Sequence, residues 1–117
     1  MLKSSFANYI ILAFVFLIIS IGCEQPPSKL DTVKPIITLI GEHTIVFENS
    51  EEYENYIDLG ATAIDKSNGD ITDKIEVSLL LSTSTDQEYN LVTFVYDVED
   101  SDGNKADSVH RNIVVHR

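Results

Sequence analysis

From Pro35 onward, short apolar runs alternate with clusters of turn-forming residues, and within the runs the hydrophobic period is two. The clearest case sets Val92, Phe94, Tyr96 and Val98 on one face against Thr93, Val95 and Asp97 on the other, as a half-buried strand requires. Val109, Arg111, Ile113 and Val115 repeat the pattern after Asp102-Gly103-Asn104, a strong hairpin signal. Earlier, Pro35 to Ile40 and Thr44 to Glu48 read as strands on either side of a Gly41-Glu42 turn, and a proline is tolerated at a strand's first position. Asn49 to Glu54 is too polar to bury and predicts a solvated loop. Residues 55 to 64 predict a short strand interrupted near Gly60, and Lys66 to Asp70 is dense in turn formers. Ile75 to Leu81 is a further strand, followed by a polar connection over Ser82 to Glu88. No segment after residue 34 carries a helical period. Six or seven short strands at this spacing predict an all-β antiparallel sandwich.

The pattern before Pro35 is of another kind. Lys3 precedes a mostly apolar, uncharged run from Tyr9 to Gly22 that closes on small residues, the layout of a secretory signal peptide over residues 1 to 22. As a helix that run reaches only about 20 Å, short of the roughly 30 Å hydrocarbon core of a bilayer. Cys23 is the single cysteine of the chain, so no internal disulfide is available. Ser20-Ile21-Gly22-Cys23 resembles a bacterial lipobox, which implies a diacylglycerol on the Cys23 sulfur and cleavage just before it. Ser20 stands where that motif most often has Leu. Ordinary signal cleavage would cut the same bond and leave Cys23 as a free thiol. Two or three acyl chains anchor a protein stably where one is marginal. Glu24 replaces the Asp associated with inner-membrane retention in some bacteria, which points to the outer membrane or the cell surface. Residues 23 to 34, with Pro26 and Pro27 and no periodicity, read as a lipid-anchored tether, and residues 35 to 117 as one domain.

Charge narrows the partners. Eight Lys and Arg stand against 19 Asp and Glu, and loss of Lys3 with the signal leaves 7 minus 19, or −12. So acidic a surface argues against nucleic acid and against docking on anionic headgroups, both of which need clustered cations. The domain is expected to meet its membrane only through Cys23.

Ile37-Thr38-Leu39-Ile40-Gly41, Tyr56 to Asp65, Gly69-Asp70-Ile71-Thr72, Tyr96-x-Val98-x-Asp100-x-x-Gly103-Asn104 and Arg111-x-Ile113-x-Val115 follow one another in an order and spacing that resembles a bacterial Ig-like domain family. That family is found in surface proteins and is also known from pesticidal crystal proteins. The resemblance covers about residues 35 to 116 and implies an Ig-like β-sandwich serving as a binding or spacer module without catalysis. Asn90 and Val92 stand where the family usually has Gly and Tyr, and Asn90 is expected to supply the left-handed turn conformation that Gly would take. Leu59 occupies a position where Pro is common.

Chemistry-bearing candidates are few. Asp100, Asp102 and Asn104 lie at alternate positions, with Asp107 beyond, and alternate oxygens can gather round calcium. An EF-hand is excluded, because Lys105 and Arg111 stand where it needs Gly and Glu. The simpler expectation is a turn at Asp102-Gly103 braced by Asp100 and Asn104, and the same Asx role is expected of Asp65 and Asp70. No cofactor is therefore called for. His43, His110 and His116 lack zinc spacing, and no nucleophile motif of the G-x-S-x-G type occurs, so the chain reads as no enzyme. Tyr53 and Tyr89 sit among polar residues and are the candidates for stacking on a sugar or anchoring a protein interface. The functional expectation is a non-enzymatic envelope lipoprotein presenting its Ig-like module to a protein or polysaccharide. Its rival is a structural accessory subunit docked on a larger envelope complex.

Overall fold

Alternation along a strand becomes a division between two faces once strands pair. In the computed structural model, which describes residues 29–117, seven strands form: β1 (Ile36–Leu39), β2 (Thr44–Phe47), β3 (Ala61–Asp65), β4 (Gly69–Asp70), β5 (Glu76–Thr83), β6 (Tyr89–Asp97) and β7 (Val109–His116). A short helix, α1 (Ser50–Glu54), follows β2, and a 3-10 turn over Thr72–Lys74 precedes β5. The signal segment and Cys23 lie outside the described residues. Among the described residues no helix is long and apolar enough to cross a membrane.

Two sheets face each other, one of order β1-β3-β4 and one of order β2-β7-β6-β5. All pairings are antiparallel except β2 with β7, which runs parallel from Thr44↔Asn112 to Phe47↔Val115. The chain leaves the smaller sheet after β1, turns at Gly41 and enters the larger sheet as β2, and this change of sheet produces the parallel pair. Gly41 sits at φ +90°, and a Cβ there would come within 3.1 Å of Leu59 Cδ1, so both backbone and space reserve the turn for glycine.

The expected sandwich is present, with local differences: the strand expected over residues 55 to 64 starts only at Ala61, the turn-forming stretch after it contributes β4, and one pair in the sheet expected to be antiparallel is parallel. The stretch predicted as a loop forms α1. Asn49 caps it, its Oδ1 accepting from the Glu52 amide at 3.0 Å while its Nδ2 donates to Glu52 Oε1 at 3.3 Å. Glu51 and Glu52 lie in the first turn, where carboxylates favour the helix dipole. One turn is too short to show a hydrophobic period, so its signal lies in the cap. Strand β5 runs two residues further than Leu81. Asn90 is paired with Thr83 inside the β5–β6 ladder, and the left-handed turn residue is Gln87, at φ 60°.

The core forms two connected clusters. Ile37, Ala61, Ala63, Ile71, Tyr96 and Val98 are buried between the sheets, while Val92, Ile113 and Val115 are buried under Ile45, Phe47, Tyr53 and Tyr56. Phe94 packs against both clusters. Phe47 meets the Tyr56 ring edge-on at 5.5 Å and the Tyr53 ring at 6.0 Å, closing one end of the sandwich with aromatic area.

Candidate functional site

Strand β5 forms one edge of the larger sheet, with β6 as its sole partner strand among the described residues. Its register sets Val77 opposite Tyr96, Leu79 opposite Phe94 and Leu81 opposite Val92, so these three side chains share the face that elsewhere makes the core. The smaller sheet does not extend over them: Val77 is 53% exposed, Leu79 56% and Leu81 77%. On the other face Leu80 is exposed as well. The row leads into a groove of about 540 Å³ lined by Leu81, Thr83, Asn90 and Val92 on one side and by Ser50 and Tyr53 of α1 on the other. A free strand edge offers unpaired N–H and C=O groups, and natural edges of this length are usually blunted by charge, proline or a bulge. Here the one charge in the strand, Glu76, stands at its first residue. A sheet edge beside an apolar ledge can take up an extended chain segment, the backbone giving affinity and the pockets giving selectivity.

Of the two tyrosine candidates, only Tyr53 belongs to this surface. It is half-buried, packs against Phe47 and forms the groove wall. Tyr89 is paired with His116, and its ring meets the histidine ring edge-on at 6.2 Å. By register both lie on the opposite face of the sheet, so the two tyrosines do not form one platform. His110 is exposed, as its strand position predicts.

Arg111 presents the opposite situation: a cation on the core face of β7, 1% exposed. Its Nη1 bonds Asp58 Oδ1, its Nε donates to the Glu42 carbonyl at 2.9 Å, and its Nη2 donates to the carbonyls of Ile40 and Gly60. Asp58 also accepts from the Tyr96 hydroxyl, from the Tyr56 hydroxyl at 2.9 Å and from the Gly60 amide at 2.8 Å. Burial pushes the Asp58 carboxyl up, but the bonds from Tyr96, Arg111, Tyr56 and Gly60 outweigh it and hold it below the usual range. Burial and then the bond to Asp58 raise both tyrosine hydroxyls. Every donor of the guanidinium faces an acceptor, and the network ties β7 to the ends of β1 and β3. The network clamps the two sheets together. The sequence signal for it was an arginine in a core-facing register, which demands a buried carboxylate somewhere.

The aspartates divide by position. Asp100 braces the hairpin as expected, its Oδ1 accepting from the amides of Asp102 and Asn104, both at 2.8 Å. Asp70 likewise accepts from the Thr72 amide at 2.9 Å. Asp65 Oδ2 accepts from the amides of Ser67 and Asn68 at 2.9 and 2.8 Å. Asp102 is exposed and is not brought together with the others. A third carboxylate joins Asp65 and Asp100 instead: that of Asp31, from the segment read as tether. The Asp31 carbonyl accepts from Asn104 Nδ2 at 3.0 Å, and Lys34 pairs with Asp107 at 2.9 Å. The residues leading into β1 thus lie against the domain.

Comparison with known proteins gives one family and one structure. The profile of a family described as "Bacterial surface protein, Ig-like domain" matches residues 37–115. Among solved structures, one described as "The structure of CBM51-2 in complex with GlcNAc and INT domains from Clostridium perfringens ZmpB" is similar at 29% identity and a TM-score of 0.46. The similarity covers 70% of this chain and 16% of that one. No curated protein matches the chain.

Proposed function

Because the chain belongs to the bacterial surface Ig-like domain family, we propose that it is a non-enzymatic binding module of the cell envelope, held there through Cys23 and engaging a protein partner along β5. The observation that carries this reading is the row Val77, Leu79 and Leu81, apolar and core-facing by register yet uncovered. Lone exposed apolar residues need no explanation, but a contiguous row on an unpaired edge marks an interaction surface. A protein is favoured over a polysaccharide because the ledge is aliphatic and its edge is backbone. A sugar platform would need neighbouring exposed aromatics, and Tyr53 and Tyr89 lie on different faces.

The test is affinity recovery from detergent-solubilised envelopes with the wild-type chain and with Leu79→Lys and Leu81→Lys. A lysine at either position is solvated in the free domain, so melting temperature should hold while partner recovery falls at least tenfold. Equal recovery by wild type and both variants would sink the reading. A partner recovered at one-to-one stoichiometry in every preparation would favour the accessory subunit over a module that engages and releases. Mass spectrometry of the mature N-terminus tests the anchor, with diacylglyceryl on Cys23 expected and an unmodified thiol removing it.

A further inference from the structure

Asp31, Asp65 and Asp100 come from the segment before β1, the end of β3 and the loop after β6, and their carboxylate oxygens lie within 4.8 Å of one another. Asp65 is 2% exposed and Asp100 is buried. Three carboxylates so close repel one another in a medium that screens poorly. The hydrogen bonds around them leave part of the set unused. Asp65 spends Oδ2 on two turn amides, while its Oδ1 is buried without a hydrogen-bond partner among the described residues, as is Asp31 Oδ2. A carboxylate oxygen is acceptor-only, and burying one unpartnered carries the full cost of desolvation. Asp31 likewise accepts from the Val33 amide through Oδ1 at 3.0 Å, so each of the two carboxylates holds a turn with one oxygen and leaves the other unpartnered.

We propose that Asp31, Asp65 and Asp100 form a calcium site that fastens the segment preceding β1 to the two loops at this end of the sandwich. The donors are hard oxygens with no nitrogen or sulfur among them, the set that suits calcium. Two oxygens bound to one calcium at the usual 2.3–2.6 Å stand at most about 5 Å apart, so every pair in the cluster fits a single ion. The unpartnered oxygens of Asp65 and Asp31 are the atoms such an ion satisfies. Asp31 is the most exposed of the three carboxylates, leaving a side open for entry and for water ligands. This site differs from the sequence trio of Asp100, Asp102 and Asn104: only Asp100 is shared. It also fixes where the free tether ends, because calcium holds Asp31 against the domain.

The full-length chain, purified in detergent and stripped with a chelator, is titrated with calcium chloride by calorimetry and melted with and without the ion. One calcium per chain is expected, in the 10⁻⁴ to 10⁻³ M range, on the order typical of extracellular modules, with a melting temperature that rises along the binding isotherm. Asp65→Asn and Asp31→Asn should each weaken binding at least tenfold, whereas Asp102→Asn should leave it unchanged. Asp31 lies outside the core clusters, so Asp31→Asn keeps the test alive if Asp65→Asn fails to fold. No saturable binding up to roughly ten times that range would overturn the site. So would an equal response to magnesium, or loss of affinity in Asp102→Asn alone.

Discussion

Strands β5 and β7 belong to the same sheet and carry aliphatic side chains on the same face, yet one is buried and the other bare. In β7, Arg111, Ile113 and Val115 lie under the smaller sheet and the aromatic cluster, each at 3% exposure or less. In β5, Val77, Leu79 and Leu81 continue that face beyond the cover. Even a full cation is buried in β7, because Asp58 and three carbonyls meet it. Burial therefore follows position in the sandwich and the supply of partners more closely than hydrophobicity. The apolar face left over is the part of the molecule that its own fold does not use.

The buried side of this contrast depends most heavily on Asp58. Asp58→Ala leaves Arg111 charged and buried without its counterion, and the expected loss is about 3–5 kcal/mol, read from urea denaturation. Next comes Ile113→Ala, which empties a site with no exposure and should cost about 2–5 kcal/mol. Acid sharpens the same contrast. The Asp58 carboxyl is held below its ordinary value, so the folded state binds fewer protons than the unfolded chain, whose Asp titrates at about 3.9. That contribution is complete above the unfolded value and is lost as pH falls through the lower, folded one. Asp58→Asn should accordingly show a shallower loss of melting temperature on acidification than wild type, whatever its starting stability. Asn49→Ala removes the α1 cap and should cost about 1 kcal/mol, with the Tyr53 wall of the groove loosened. Smallest of all, Leu79→Ser in β5 should change stability by no more than about 0.5 kcal/mol. That is the reverse of what the same loss of an aliphatic side chain does in β7.

Much of this was legible in the sequence, because period two assigns faces without knowledge of what covers them. Val92 to Val98 and Val109 to Val115 gave the two central strands and their buried sides correctly. The same rule places Val77, Leu79 and Leu81 on the core side of β5 but cannot say that the opposing sheet stops short of them. Cover is set by the length of β1, β3 and β4, a tertiary fact. The turn at Asp102-Gly103 was readable because its chemistry is local. Asp31 carries no local signal, since it meets Asp65 and Asp100 across gaps of 34 and 69 positions. For α1, the capping pair Asn49 and Glu52 was present in the sequence but masked by the acidic character of the segment.

If β5 is a finished strand that takes up a partner, site-resolved photo-crosslinking in intact cells will trap that partner on it. A photo-reactive side chain is placed at Leu79 in β5 and, for comparison, at Val114 on the outer face of β7. A discrete crosslinked species is expected from position 79 and not from 114, and it should vanish when Leu81→Lys is added. Identical products from both positions, or none from position 79, would mean that β5 takes up no partner.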